Sequence, residues 1–329
     1  MGVSLDKFKL GFFPTPLHGL KNFSALYPGY KVFIKRDDHT GLATGGNKTR
    51  KLEYLIGDAL AKGADTVITG GAQQSNHCRQ TAAACNMAGL KCHLLLGGDS
   101  PGEHTGNLLL SNILGATIHY TGAQRKGEDM GLLAGQLSAK GHTPYIIPYG
   151  GSNIIGAMGY FEAAGELKTQ LDQKNLKIDY IFFASSSGGM QAGLMLGKAM
   201  HNLGATLMPI RIDKQETEGK SLEDNIRDLV LEGIHTLDIQ DTTSLDSTPM
   251  IRGYEEAGYG VVTRHEKEAI SILARHEGIL LDPVYTGRAF YAMMHHMEKG
   301  LLEAGTNVLF WHTGGIPANF NYAENLIDQ

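Results

Sequence analysis

Charge is scarce in this chain. Asp, Glu, Lys and Arg make up 19% of its 329 residues, against a usual share of about 25%. A deficit of that kind leans toward a large buried fraction or a subunit interface. The net charge is -5, and no long basic run exists, which argues against a nucleic-acid partner. No apolar run approaches the roughly 20 residues a membrane helix needs. The N-terminus has no basic-then-apolar signal pattern. Cysteine is rare: Cys78, Cys85 and Cys92 stand seven residues apart, whereas structural zinc sites want pairs two to four apart. No metal is therefore expected. The odd, small cysteine count fits reduced thiols, so a cytoplasmic location is expected.

Glycine, by contrast, is abundant, with 43 residues. Most stand at the ends of apolar segments, as tight turns and ligand cradles do. The length suggests about two domains. Apolar runs predict strands at Lys31–Lys35, Thr66–Thr69, Cys92–Leu96, Thr117–Tyr120, Pro144–Pro148, Ile178–Ala184, Met208–Ile212 and Val308–His312. Helical periodicity fills the intervals, as from Leu52 through Leu55, Ile56, Ala59 and Leu60. Strands alternating with helices predict an α/β fold with parallel sheets covered on both faces. The four strands between Asp65 and Pro148 form one run, and a second sheet would draw on strands before and after it.

Chemistry concentrates where strands end. Gly45-Gly46-Asn47-Lys48-Thr49-Arg50-Lys51 opens a helix and holds three cations in four residues. Such a cluster is ordinarily solvated surface. Placed beside other cations or out of water, however, a lysine becomes a useful nucleophile, and a helix start attracts anions. A ligand with both a phosphate and an aldehyde, pyridoxal phosphate (PLP), suits both features. The segment from Gly41 to Thr49 also looks like a nucleotide phosphate loop, but Asn47 separates the second glycine from the lysine and the register fails. Four further loops follow strands. Gly70 to His77 offers amides, a hydroxyl and an imidazole suited to a carboxylate, or a plain turn with Ser75 as helix cap. Ser185 to Gly193 is a Gly/Ser loop before a helix, a phosphate cradle or a turn. Tyr285, in Asp282-Pro283-Val284-Tyr285-Thr286-Gly287, could stack on a flat ring or sit in the core. His312-Thr313-Gly314-Gly315 presents a hydroxyl, or only a terminal turn.

Taken together, Gly45-Gly46-Asn47-Lys48-Thr49-Arg50-Lys51-Leu52-Glu53-Tyr54, Gln74-Ser75-Asn76-His77, Asp282 to Gly287 and His312 to Gly315 resemble the D-cysteine desulfhydrase / 1-aminocyclopropane-1-carboxylate (ACC) deaminase family. The resemblance runs from about Pro14 to Tyr322. It implies the PLP fold type II, that of the tryptophan synthase β-subunit: two open, twisted, mostly parallel sheets flanked by helices. Residues 1–47 plus 162–329 would form a large PLP-binding domain and 48–161 a small inserted one. It implies that Lys48 binds PLP covalently and later moves the α-proton. Lys51 would face the phosphate, with Ser187, Gly188, Gly189 and Met190 cradling it. Asn76 would bond the ring oxygen and Thr313 would lie near the ring nitrogen. Ser75, Asn76 and His77 would hold the substrate, and Tyr259 and Tyr285 would flank cofactor and substrate as catalytic groups. The loop departs from the family pattern at Ser186 and Met190, where Gly and Thr are usual.

Within the family, ACC deaminases carry Glu after the Tyr of Asp-Pro-Val-Tyr and Leu before the late Gly-Gly. Thr286 and Thr313 match the desulfhydrases instead. The expected activity is α,β-elimination of D-cysteine to pyruvate, hydrogen sulfide and ammonia, by a homodimer acting on a small amino acid. ACC deaminase and L-cysteate sulfo-lyase are the alternatives within PLP chemistry. A non-catalytic binder of a phosphorylated metabolite is the alternative outside it.

Overall fold

The computed structural model describes residues 6–214, 216–217, 219–240, 242 and 248–327. In chain order they form β1 (Leu17–Gly19), α1 (Lys21–Ser24), β2 (Lys31–Arg36), α2 (Lys48–Ala61), β3 (Thr66–Ala72), α3 (Asn76–Ala88), β4 (Lys91–Gly97), α4 (Gly106–Ile113), β5 (Thr117–Tyr120), α5 (Met130–Ser138) and β6 (Pro144–Ile146). The second half adds α6 (Ile154–Gln173), β7 (Tyr180–Ser185), α7 (Gly189–Met200), β8 (Thr206–Arg211), α8 (Leu222–Leu237), α9 (Arg264–Glu277), α10 (Thr286–Glu298), β9 (Asn307–His312) and α11 (Ala323–Leu326).

The strands make two sheets. One has the order β1-β2-β9-β7-β8 and the other β5-β4-β3-β6. The four strands between Asp65 and Pro148 do form one sheet, all parallel. The other sheet is parallel except at β1, which pairs antiparallel with the edge of β2. Sequence periodicity missed β1 because three residues are too few to show alternation, and α1 is a single turn. The central strands are apolar throughout: Ile181, Phe182, Phe183, Val308, Leu309 and Phe310 are all fully buried, as strands covered on both faces must be.

Apolar periodicity predicts helices over Cys78–Leu90 and Glu266–His276, and both start earlier. The first begins at Asn76, because Ser75 is extended and its Oγ accepts from the Cys78 N–H. At α9 a capping box sets the start, with Thr263 and Glu266 satisfying each other's backbone donors.

Helix α2, which carries Lys48, is packed tightly against α6. A side chain at Gly159 would place its first carbon 2.3 Å from the Arg50 carbonyl oxygen. Gly193 of α7 lies under the same restriction against the Ala157 carbonyl of α6, at 2.3 Å. Only glycine permits these backbones to approach so closely. The result fixes α2 and α7, one the bearer of Lys48 and the other headed by the Gly/Ser loop, to a common support.

Candidate active site

A cavity opens at the carboxyl ends of strands from both sheets, where open α/β sheets bind ligands. It encloses ≈ 530 Å³ of space between atoms, its solvent-filled mouth included. Asn47 and Lys48 enter from the start of α2, Ser75, Asn76 and His77 from the end of β3, Ser186 and Ser187 from the end of β7, and Thr313 from the end of β9. Tyr285 comes from the start of α10, and Tyr149 and Gly150 from the turn after β6. Among the described residues Lys48 is the one Lys or Arg in this lining, beside hydroxyls, amides, two phenols and the His77 imidazole.

Burial pushes the Lys48 ammonium down to about 8, with the nearby Cys78 thiol offsetting a little of that. An amine so shifted has an appreciable neutral, nucleophilic fraction at physiological pH. Its position is set by its neighbour Arg50, which is buried and turned away from the cavity. Arg50 donates through Nε and Nη2 to Asp37, at 2.9 and 2.8 Å, and through Nη1 and Nη2 to Glu166, both at 2.9 Å. Asp37 is fully buried. It also accepts from Thr15 Oγ1 at 2.9 Å, Tyr160 OH at 2.7 Å and Trp311 Nε1 at 2.8 Å. The first turn of α2 is thereby tied to α6 and to β9, two residues before Thr313. Burial alone would raise the Asp37 pKa, but Arg50, then Lys35 and Tyr160, bring it down to about 2.

Lys51 is buried behind the cavity wall. Its ammonium donates to the Gly150 carbonyl at 2.6 Å and to Ser152 Oγ at 3.0 Å. Burial and then the charge of Lys48 hold its pKa well below the usual lysine range. Helix α7 starts beside it. Gly188 at its N-cap has φ 85° and offers no side-chain cap; the Gly189 N–H meets Ser152 Oγ at 3.2 Å, and the next N–H groups of the first turn remain as anion donors. The corner has no spare room: a side-chain carbon on Gly189 would lie 2.7 Å from Lys51 Nζ and 2.8 Å from Ser152 Oγ. Met190 packs its side chain with the core beneath the loop, its sulfur accepting from Asn47 Nδ2 at 3.9 Å, and brings no hydroxyl to the corner.

The hydrogen-bond directions of two lining side chains are determined. Asn107 Nδ2 donates to the Gln74 carbonyl and to Asn76 Oδ1, both at 2.9 Å. The acceptor of Asn76 is thus occupied and its amide N–H₂ is left as a donor. Thr69 donates its one hydroxyl hydrogen to the Ile147 carbonyl at 2.9 Å, so the 2.9 Å contact with His77 Nε2 must have the imidazole as donor. His77 therefore carries its proton on Nε2. Its Nδ1 is a buried acceptor with no partner among the described residues. Burial, then Lys48 and Lys51, keep this imidazole neutral, with a pKa well below the usual value. The His77 side chain consequently has no N–H left to give to a carboxylate.

Tyr259 stands behind Tyr285, and the two phenol oxygens are 2.5 Å apart. Burial and then Tyr149 raise the Tyr259 phenol well above the usual range, with its hydrogen bond to Tyr285 and the Arg125 charge opposing them; burial, then Tyr259 and Tyr149, raise that of Tyr285, so the pair stays protonated. Thr313 brings a hydroxyl to the cavity. Thr286 does not: its Oγ1 accepts from the Asp282 N–H at 2.7 Å, in the turn that leads into α10. The structure gathers Lys48, Ser75, Asn76, His77, Ser187, Tyr285 and Thr313 into one lining and puts Lys51, Gly188, Gly189, Met190 and Tyr259 directly behind it. Sequence reasoning missed Tyr149, Gly150, Ser152 and Asn107. The pair Gly150-Gly151 before a helix was the available signal for the first three, and nothing marked Asn107.

This corner fits PLP. An N–H-rich helix start backed by a lysine suits a phosphate, a neutral-capable amine suits an aldehyde, and Asn76 offers a donor to a ring oxygen. The family described as pyridoxal-phosphate dependent enzymes matches residues 8–314. A protein of Pyrococcus abyssi named "putative 1-aminocyclopropane-1-carboxylate deaminase" is 40% identical over 321 residues, covering 95% of this chain and 93% of its own. One of the same name from Pyrococcus horikoshii is 40% identical over 316 residues, with the same coverage. A crystal structure described as an ACC deaminase homologue superposes with TM-score 0.89 at 39% identity, covering 98% of this chain and 96% of its own. A hydrogen sulfide-producing enzyme of Fusobacterium nucleatum shares the fold at 17% identity and TM-score 0.63, over 91% of this chain and 94% of its own.

Proposed function

The chain belongs to the pyridoxal-phosphate dependent enzymes, and on that premise we propose that it is a lyase that eliminates sulfide from D-cysteine. Bound PLP supplies an electron sink for the carbanion at the substrate's α-carbon. Lys48 would hold it covalently, the α7 start with Lys51 would hold its phosphate, and Asn76 its ring oxygen. Ser75 and the adjacent amides orient the substrate carboxylate. The Lys48 amine, in the cavity lining, would take the α-proton. The electron pair left on the α-carbon becomes the Cα–Cβ double bond, and sulfur departs with the pair of the C–S bond. The Tyr259–Tyr285 pair has two phenol hydrogens. One closes the bond between the oxygens, and the other serves the leaving sulfur. The released 2-aminoacrylate takes up water and gives pyruvate and ammonia.

The observation that carries the choice of substrate is Thr313. It offers a hydroxyl where ACC deaminases place leucine, and Thr286, where they place glutamate, is spent on the Asp282 N–H in the turn before α10. A ring nitrogen met by a hydroxyl stays closer to neutral and withdraws electrons less strongly than a protonated one. That suffices when a thiol leaves and favours it over opening a cyclopropane. The names of the Pyrococcus relatives favour a second reading, ACC deamination to 2-oxobutanoate and ammonia.

One panel decides between them. Purified holoenzyme is offered D-cysteine, L-cysteine, L-cysteate and ACC, and sulfide, sulfite, 2-oxo acid and ammonia are measured. Sulfide and pyruvate in equal amounts from D-cysteine are expected. Production of 2-oxobutanoate from ACC without sulfide from D-cysteine would replace the first reading by the second. Borohydride should trap the cofactor on Lys48, and Lys48→Ala should lose both the trapped adduct and turnover.

A further inference from the structure

Outside the cavity, two consecutive cations lie on the faces of two tyrosines of the site. The Arg125 guanidinium is 4.4 Å from the centre of the Tyr259 ring, and the Lys126 ammonium is 5.3 Å from that of Tyr149. Both cations come from the segment between β5 and α5, on the small-sheet side. They reach across to the segment after β8 of the other sheet. Arg125 Nη2 is 2.7 Å from Asp213 Oδ2, and Lys126 Nζ donates to Thr217 Oγ1 at 2.9 Å. Tyr259 in turn meets Tyr285 edge-on, with ring centres 5.9 Å apart and planes at 72°. A continuous chain of contacts therefore runs from Asp213 through Arg125 and Tyr259 to Tyr285 at the cavity.

An arginine used only as a strut between sheets would be expected to fill its donors. Arg125 fills them only in part: it pairs with Asp213 and interacts with the Tyr149 phenol, while its Nη1 is buried without a well-aligned hydrogen-bond partner among the described residues. Its planar face is given to the Tyr259 ring instead, a use of guanidinium that lysine copies poorly.

We propose that Arg125 is a positioning residue for the elimination: anchored by Asp213 from across the cleft, it lies on the Tyr259 ring and holds the Tyr259–Tyr285 phenol pair in register with the leaving group. This rests on the role given to that pair above. The phenol pair is assembled only while the segment bearing Arg125 is docked on the other sheet. Arg125 itself does not line the cavity, so its effect falls on the chemical step and not on substrate binding.

The test is a cycle on the holoenzyme. Arg125→Met and Arg125→Lys are made in the parent and in Tyr259→Phe, and kcat and KM for the amino acid are measured separately. In the parent, Arg125→Met should lower kcat about tenfold, the scale of a desolvated cation–ring contact, with KM within about twofold. Arg125→Lys should recover part of the loss. In Tyr259→Phe, Arg125→Met should have no further effect on kcat. The proposal is overturned if Arg125→Met leaves kcat unchanged, if it raises KM alone, or if the same loss appears in Tyr259→Phe. The melting temperature and the visible band of the bound cofactor separate these outcomes from misfolding. Should Arg125→Met not fold, Asp213→Asn loosens the anchor more gently, and the same cycle with Tyr259→Phe applies. Tyr285→Phe in the parent tests the underlying role of the pair. Full activity there would dismiss the phenols, whatever Arg125 does.

Discussion

Replacing Asp37 by Asn should loosen the helix that carries Lys48. The carboxylate accepts five hydrogen bonds and is fully buried. Asparagine keeps the shape but has no charge, and its amide would confront the donors of Arg50. Breaking a buried ion pair by removing one partner costs about 3–5 kcal/mol. Here Arg50 keeps Glu166, so the low end applies, about 3 kcal/mol. The pKa gives an independent figure. A fall from 3.8 to about 2 is roughly two units, or about 2–3 kcal/mol. The sign follows from the direction of the shift. The native carboxylate binds its proton more weakly than the unfolded one, so its contribution is complete above pH 3.8. That contribution declines as the pH falls and is gone below about 2. Trp311 is the only tryptophan and donates to this carboxylate, so its fluorescence reports the site directly. Urea unfolding followed by that signal should show a lower midpoint for Asp37→Asn at pH 7 and a gap from the parent that narrows toward pH 2. A loss under about 1 kcal/mol, or a gap independent of pH, would refute this account of what fixes α2.

Three further outcomes are expected. Only the neutral amine attacks an aldehyde, so the rate at which apoprotein captures PLP should rise with pH about a midpoint near 8. Stopped-flow absorbance measures it, and a midpoint near 10.5 would mean that Lys48 is not desolvated. Gly189→Ala inserts a carbon 2.7 Å from Lys51 Nζ and 3.1 Å from Ser152 Cα, so PLP affinity should fall about tenfold or more, a loss of order 1.4 kcal/mol or above. Equilibrium titration checks it, and an unchanged affinity would remove this corner from the phosphate site. Ser75→Ala deletes the cap on α3, which should cost about 1 kcal/mol of stability. It should also reduce turnover by far more than that loss of stability accounts for. Denaturation and steady-state rates on one preparation compare the two.

The parts of the site that were legible in the sequence share a physical property: they are local. A glycine-rich turn after an apolar run, or a cap before a helix, announces itself within ten residues, because the constraint is on the backbone there. Lys48, Ser75, Ser187 to Met190, Tyr285 and Thr313 all lie in such turns. The parts that stayed hidden are pairings across the chain. Lys48, Arg50 and Lys51 look alike in sequence, three cations in one helical turn, and a solvated surface was the ordinary reading of them. In the fold each has a different fate, and partners far away in sequence decide it. Asp37 and Glu166 stand 13 and 116 residues from Arg50, and Lys51 meets the Gly150 carbonyl 99 residues away. Asn107 was invisible for the same reason, since its role is to point the amide of Asn76 from 31 residues away. The Gly159 contact shows how the two kinds of information meet. A glycine inside a helix weakens it and has no local use, so the presence of Gly159 is explained by the helix that lies against it. Because α2 and α6 touch there, the ion pair of Arg50 can be short and dry, and Lys48 can be left as the single cation of a neutral cavity. The acidity of Lys48 is thus a property of the packing of two helices, which is why neither the three-cation motif nor the glycine predicted it separately.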